Sequence, residues 1–179
     1  EAVADQWKGE GVEIIRSTEQ NPAGTGGALR LARPHLRADT ILVANGDSFV
    51  DVDHRRFVDF HRSHGALISV LLAPAEQASR FGAVRMGEDD AITAFEEKPT
   101  VETGEGYVSA GVYLVECAVI DAIPANQSIS LEYDMFPQYS NGGLYGMRQD
   151  QPFIDIGVPE SLERAEAFFD ELEAARKPT

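Results

Sequence analysis

Thr40-Ile41-Leu42-Val43-Ala44-Asn45-Gly46-Asp47 is an apolar run of strand length that stops on a polar turn, the pattern of a strand buried on both faces. A helix-spaced segment follows, with Phe57, Val58, Phe60 and His61 ahead of Gly65, and Ala66-Leu67-Ile68-Ser69-Val70-Leu71-Leu72 returns as a second buried strand. Strand, helix, strand is a βαβ rhythm and predicts a parallel sheet. Upstream, Gly11-Val12-Glu13-Ile14-Ile15 reads as a short strand, and Asn21-Pro22-Ala23-Gly24-Thr25-Gly26-Gly27 as a loop feeding a helix that opens at Ala28-Leu29-Arg30-Leu31-Ala32. Downstream of Phe81-Gly82 the strands shorten to Ala83–Met86, Ile92–Phe95 and Val108–Val115, which predicts antiparallel additions to the sheet. Thr100 to Gly106, rich in Thr, Glu and Gly, reads as a mobile surface loop. A last helix opens at Pro159 and places Leu162, Ala165, Phe168, Phe169 and Leu172 on one buried stripe. The fold class is therefore α/β, a mixed and mostly parallel sheet flanked by helices.

The chain has 179 residues, enough for one domain with a substantial core, and its 43% hydrophobic content excludes a mainly disordered chain. Lys and Arg total 15 against 30 Asp and Glu, a formal charge of −15 with no basic run, which argues against a nucleic-acid groove. An anionic substrate would have to be drawn in by local donors or a bound cation, so a divalent metal is worth seeking. Cys117 stands alone, leaving no intrachain disulfide and no cysteine-based zinc cage, as suits a reducing cytosol. No signal peptide opens the chain and no apolar run approaches bilayer-spanning length, so a soluble cytoplasmic protein is expected.

Several positions could carry chemistry. The glycines of Gly24-Thr25-Gly26-Gly27 would let backbone N–H groups approach a planar or anionic ligand ahead of a helix N-terminus, or they form a plain turn. The loop matches neither a GxGxxG fingerprint, since Leu29 takes the third glycine position, nor a phosphate loop. Asp47 lies past a buried strand, where open α/β sheets place ligand groups; the alternative is an Asn-Gly-Asp turn. Asp155, inside Phe153-Ile154-Asp155-Ile156-Gly157, puts a carboxylate in an apolar run, where an unpaired charge is costly. Backbone donors or a cation must satisfy it, and two carboxylates from distant strands meeting at Mg²⁺ would account for both aspartates. Glu97-Lys98-Pro99 offers an acid and a base at a strand end, or solvated surface charge. Ser130 can cap a helix, with Glu132 and Asp134 at the positive end of its dipole. His61 and His64 have an i, i+3 spacing but no accompanying ligand pattern for zinc.

Taken in order, Pro22-Ala23-Gly24-Thr25-Gly26-Gly27-Ala28, Asn45-Gly46-Asp47, Phe81-Gly82, Glu97-Lys98-Pro99, Ser109-Ala110-Gly111-Val112-Tyr113 and Phe153-Ile154-Asp155-Ile156-Gly157 resemble the sugar-1-phosphate nucleotidylyltransferase family, from about Gly11 to Phe169. Ser130-Leu131-Glu132 and the ending Asp155-Ile156-Gly157-Val158-Pro159-Glu160 look most like its D-glycero-D-manno-heptose 1-phosphate guanylyltransferase branch, with mannose-1-phosphate guanylyltransferases close by. The resemblance implies a Rossmann-like sheet of the nucleotide-diphospho-sugar transferase type in a single domain over residues 1–179. It implies attack of a sugar 1-phosphate oxygen on the α-phosphorus of an NTP, GTP in that branch, with loss of pyrophosphate and Mg²⁺ neutralising charge.

By match to the family pattern, Glu19, Gly24 and Thr25 would face the base, Asp47 and Asp155 would hold the metal, and Lys98 would meet the sugar phosphate. Glu97, Gly111 and Glu132 would contact sugar hydroxyls, with Ser109 replacing the Asn often found there and shortening its reach. The implied partners are the NTP and the sugar 1-phosphate, with no nucleic acid or membrane, and self-association is left open. The family opens with a strand and a Gly-Thr-Arg-containing phosphate loop that nothing in this sequence matches. About 50 to 60 residues are therefore expected to precede Glu1, and the chain alone is expected to be inactive. A different class, a non-catalytic nucleotide-sugar binding module that naturally lacks the loop, stands as the alternative.

Overall fold

The computed structural model describes residues 11, 13–74, 83–96 and 106–176. In chain order the elements are α1 (Gly24–Ala32), β1 (Thr40–Ala44), β2 (Ser48–Val50), α2 (His54–Ser63), β3 (Ile68–Pro74), β4 (Ala83–Met86), β5 (Ile92–Glu96), β6 (Tyr107–Glu116), α3 (Cys117–Ala122), β7 (Leu144–Arg148), β8 (Phe153–Asp155), α4 (Pro159–Leu162) and α5 (Ala165–Arg176). Six strands form one mixed sheet, and β2 and β8 form a separate antiparallel ribbon. Within the sheet β6 runs against β1, β3 and β4, β5 runs against β4, and β3 and β7 pair in parallel. Strands β1, β3, β4 and β7 therefore share one direction; of the three strands expected as antiparallel additions, β5 and β6 run against it and β4 runs with it. The expected α/β class holds. The strands β1 and β3, which the sequence pattern places around α2, do point the same way, but β6 lies between them.

Each face of the sheet has its own core. On one, Leu71 and Ala73 of β3 and Val108, Ala110, Val112 and Leu114 of β6 pack with Phe57 of α2, Met147 and Val50. On the other, Ile68, Val70, Leu72, Tyr113 and Val115 pack with Val119 and Ile120 of α3 and with Leu131, Met135 and Phe136. Alternation along β3 and β6 thus feeds two layers of helix and turn, which is why β3 reads as an almost continuous apolar run and β6 carries apolar residues on both faces.

Helix α2 starts where the Asp53 carboxylate accepts from the N–H groups of Arg55 and Arg56, at 2.9 and 3.2 Å, and it stops before Gly65, whose φ of +55° suits a residue without Cβ. Phe57 and His61, one turn apart, are its buried residues. The His61 ring bridges Ser69 Oγ of β3 at 2.8 Å and Glu116 Oε1 of β6 at 3.1 Å, and the same carboxylate oxygen accepts from Thr40 Oγ1 of β1. One imidazole therefore ties α2 to three strands.

Three sequence expectations are corrected. Gly11 to Ile15 contributes no strand: Glu13, Ile14 and Ile15 are exposed, irregular backbone, since no described strand pairs with them; Val12 lies outside the described residues. β1 is not buried on both faces. Among the described residues its only ladder is with β6, and Leu42 remains 47% exposed. The C-terminal helix is broken into α4 and α5, and of the predicted stripe only Leu172 is buried, with Leu162 and Phe169 exposed. Phe168 and Phe169 instead meet Phe49 of β2 edge-on, at 6.1 and 5.0 Å between ring centroids. The loop predicted over Thr100 to Gly106 lies outside the described residues except for Gly106.

Replacing His61 with Ala should cost about 2–4 kcal/mol, because it leaves a cavity and strands the buried Ser69 hydroxyl. Urea unfolding of the variant against the parent checks this.

Candidate active site

The site is built around an irregularity in β6. Strands β3 and β6 pair from Ile68 and Val115 to Val70 and Tyr113, then resume at Leu72 and Ser109, so β6 carries two extra residues at this point. Gly111 sits in the bulge with φ +71°, and a Cβ there would stand 2.5 Å from Ser48 Oγ and 2.9 Å from Asn45 Nδ2. Only glycine fits both the backbone angle and the space. The Gly111 carbonyl accepts from the Asn45 N–H at 2.8 Å, which draws the end of β1 against the bulge and sets where Asp47 begins the next turn.

Asp47 is met there by the β8 segment. The Ile156 N–H donates to the Asp47 carbonyl at 2.7 Å, and β2 and β8 set Ser48 opposite Asp155. A Cβ on Gly157 would stand 3.1 Å from Asp155 Oδ1 and 3.4 Å from Asp47 Oδ2, so both carboxylates flank one point. The Gly157 N–H donates to Asp155 Oδ1 at 2.9 Å, and Asp155 is only half-buried. A backbone donor thus accounts for part of the charge that the sequence left unexplained. Two converging carboxylates are an oxygen-only donor set of the kind Mg²⁺ uses when substrate phosphates supply further ligands. The residues fit that ion. Among the described residues no group of three or more His, Cys, Asp and Glu converges on a point.

On the bulge's other side stands Tyr113, 2% exposed and edge-on to Phe136 at 5.2 Å. Its hydroxyl donates to Glu132 Oε1 at 2.6 Å and accepts from Ser109 Oγ at 3.2 Å, and Ser109 Oγ in turn accepts from the Gly111 N–H at 3.2 Å. Burial, followed by the negative charge of Glu132 and the hydrogen bond to it, pushes the Tyr113 phenol far above its usual range, against bonds from Ser109 and Asn45 that work the other way. It is a neutral donor at any ordinary pH.

Glu132 is carried by a π-helical turn, Leu131–Met135, which Ser130 caps: its Oγ accepts from the Tyr133 N–H at 3.2 Å, and Asp134 Oδ2 accepts from the Ser130 N–H at 2.7 Å. The capping expected of Ser130 is present, while Glu132 turns to Tyr113. The glycine loop holds this turn in place. Thr25 Oγ1 accepts from the Leu131 N–H at 2.9 Å, the Gly26 N–H donates to the Ile129 carbonyl at 2.8 Å, and a Cβ on Gly24, at φ +71°, would stand 2.5 Å from that oxygen. Close backbone-to-backbone docking is thus what requires glycine at this helix entrance.

Glu19 accepts from the Ala23 N–H at 2.8 Å and lines a cavity of about 690 Å³ with Arg30, Leu31, Asn126 and Gln127, to which Asp47, Asp155, Gly111 and Glu132 do not contribute. Glu97 and Lys98 lie outside the described residues, as do Phe81 and Gly82. Sequence reasoning missed the parts played by Asn45, Tyr113 and Gly157. For Tyr113 a signal existed, since Ser109, Gly111 and Tyr113 stand at alternate positions of one strand.

A family model described as nucleotidyl transferase matches residues 1–171. The chain belongs to the nucleotidyl transferase family. Within it, the chain is 36% identical over 160 residues to a mannose-1-phosphate guanylyltransferase of Mycobacterium tuberculosis, covering 88% of this chain and 44% of that protein. It is 32% identical over 157 residues to the D-glycero-alpha-D-manno-heptose 1-phosphate guanylyltransferase of Aneurinibacillus thermoaerophilus, covering 87% of this chain and 67% of that one. The chain thus spans less than half the length of the first of these curated relatives. The crystal structure of HddC from Yersinia pseudotuberculosis complexed with GMP-PN superposes with a TM-score of 0.78 at 26% identity, over 94% of this chain and 73% of HddC. Among the described residues of this family member, no helix is long and apolar enough to cross a membrane.

The raised Tyr113 phenol has a consequence for stability. A group whose folded pKa exceeds its unfolded value, near 10 for tyrosine, contributes stability that is present below about pH 10 and lost above it. The unfolding free energy of the parent should therefore fall relative to that of Tyr113→Phe between pH 9 and 11, by up to about 1.4 kcal/mol per pH unit above 10. Urea unfolding of both proteins across this range measures it.

Proposed function

We propose that the complete protein, of which this chain forms a single nucleotidyltransferase domain, transfers GMP from GTP to a sugar 1-phosphate, giving a GDP-sugar and pyrophosphate. The observation that carries the reading is the convergence of Asp47 and Asp155 at Gly157, in a chain of the nucleotidyl transferase family. In the transfer a phosphate oxygen of the sugar 1-phosphate forms a bond to the α-phosphorus of GTP, the bond from that phosphorus to the β-bridging oxygen breaks, and pyrophosphate leaves with the bond's electron pair. Asp47 and Asp155 would hold Mg²⁺, which when bound neutralises charge on the phosphates.

This chain's residues then bind and orient. Glu19, with Gly24 and Thr25 at the helix entrance beside it, reads the base, since a carboxylate accepts from guanine N–H donors and cannot donate to uracil or thymine carbonyls. Lys98, which the sequence places beside Glu97 at a strand end, meets the sugar phosphate, and Glu97, Gly111 and Glu132 take the sugar hydroxyls. Ser109 stands behind Gly111 and Glu132, its hydroxyl already engaged by Gly111 and Tyr113. The sugar is D-glycero-D-manno-heptose 1-phosphate. Mannose 1-phosphate is the second reading, favoured by 36% identity to a protein named for that activity against 32% for the heptose relative. The reading places the protein in nucleotide-sugar biosynthesis, and in polysaccharide assembly if the heptose is its substrate.

Asp155→Asn in the complete protein should lower Mg²⁺-dependent pyrophosphate release by about 100-fold or more, with the far-UV circular dichroism unchanged. A loss of a few-fold with unaltered Mg²⁺ dependence would overturn the metal assignment, whereas no pyrophosphate release from the unsubstituted complete protein would favour a nucleotide-sugar binding module. In competition assays, GTP with the heptose 1-phosphate should outrank UTP or dTTP with glucose 1-phosphate, and a reversed ranking would overturn the assignment of base and sugar together.

A further inference from the structure

The Gly111 N–H, displaced by the bulge, finds its acceptor in Ser109 Oγ. The Ser109 hydroxyl spends its one proton on Tyr113 Oη, and Tyr113 spends its own on Glu132 Oε1. Every donor in this series points the same way, from the backbone of β6 towards one carboxylate oxygen, and a hydroxyl has only one proton to give. We propose that Tyr113 is a positioning residue for Glu132, holding one carboxylate oxygen so that the other is presented as a fixed acceptor for a hydroxyl of the sugar substrate. The inference rests on Glu132 contacting the sugar.

Three features make Tyr113 a rigid anchor. Its ring is buried against Phe136, so the hydroxyl cannot swing to another partner without unpacking the core. The 2.6 Å contact has the length of an O–H···O⁻ bond, among the stronger neutral-to-charged pairs. Bonds arranged head to tail polarise one another, so the Ser109 link strengthens the terminal one. Glu132, by contrast, is a long side chain on a five-residue turn, and among the described residues its second carboxylate oxygen takes no hydrogen bond. Without Tyr113 the carboxylate would sample several rotamers, and each productive encounter with the sugar would have to order it again. An ordered, acceptor-only carboxylate selects a hydroxyl donor at one position of the ring and discriminates against a sugar deoxygenated there.

The test uses the complete protein and separates the two substrates. Tyr113→Phe keeps the ring and removes the hydroxyl. It should raise KM for the sugar 1-phosphate by about 10-fold while KM for GTP stays within about two-fold. Glu132→Gln should raise the same KM, and the double variant should be no worse than Glu132→Gln alone, because Tyr113 acts through Glu132. Ser109→Ala, one link upstream, should produce a smaller loss of the same kind, and it carries the test if Tyr113→Phe does not fold. Equal rises in both KM values, additive losses in the double variant, or a fall in Tm with both KM values unchanged would each overturn the proposal while leaving Glu132 at the sugar. A Glu132→Gln variant with an unchanged sugar-phosphate KM would remove Glu132 from the sugar site and the proposal with it.

Discussion

The backbone hydrogen bonds of β6 are divided among three neighbours: β3 along one edge, and β4 followed by β1 along the other. A strand shared in this way cannot slip without breaking ladders on both sides, and the register change it must accommodate falls at Gly111. The candidate site hangs from that point. Asn45 and hence Asp47 are held by the Gly111 carbonyl, Ser109 by its N–H, and Tyr113 by the alternation that resumes after it. The acids flanking Gly157 reach the same region through the β2 and β8 ribbon, which the aromatic contacts of Phe49 with Phe168 and Phe169 tie to the C-terminal helix.

Two kinds of glycine serve this arrangement for different reasons. Gly111 and Gly157 leave room beside functional side chains: Ser48 and Asn45 at the first, Asp155 and Asp47 at the second. Gly24 and Gly26 leave room for backbone, allowing the first turn of α1 to dock on Ile129 and thereby support the turn that carries Glu132. The glycine-rich loop is thus also a structural element of the site. The same economy appears at the opposite end of the sheet, where His61 satisfies Ser69 and Glu116 together and fixes α2 against it.

Charge also has to be managed locally. With a formal charge of −15, the molecule repels anionic phosphates at long range, and salt screens that field beyond roughly 8 to 10 Å. Inside that distance, what counts is where the charges stand. Asp47 and Asp155 are brought together at a partly solvated edge, where a cation can relieve their repulsion, whereas Glu132 is satisfied by a neutral phenol that burial keeps protonated. Carboxylates of one site thereby acquire different surroundings from different neighbours.

Much of this was legible in the chain alone. The continuous apolar run of β3, the helix-spaced residues ahead of Gly65, the cap at Ser130 and the order of six short motifs determined the α/β class and the family, because periodicity and turn chemistry are local properties. The exposure of β1, the break between α4 and α5 and the absence of a strand at Gly11 to Ile15 were not legible, since burial depends on which partners arrive, and partners are not encoded locally. The same holds within the site. The sequence by itself supplied Asp47, Asp155 and Glu132 as candidate acids; only the tertiary structure decided that the first two meet at Gly157 and that the third answers to Tyr113. Contacts between residues some 20 to 110 positions apart arise from how β6 is paired, and strand pairing is a property of the assembled sheet.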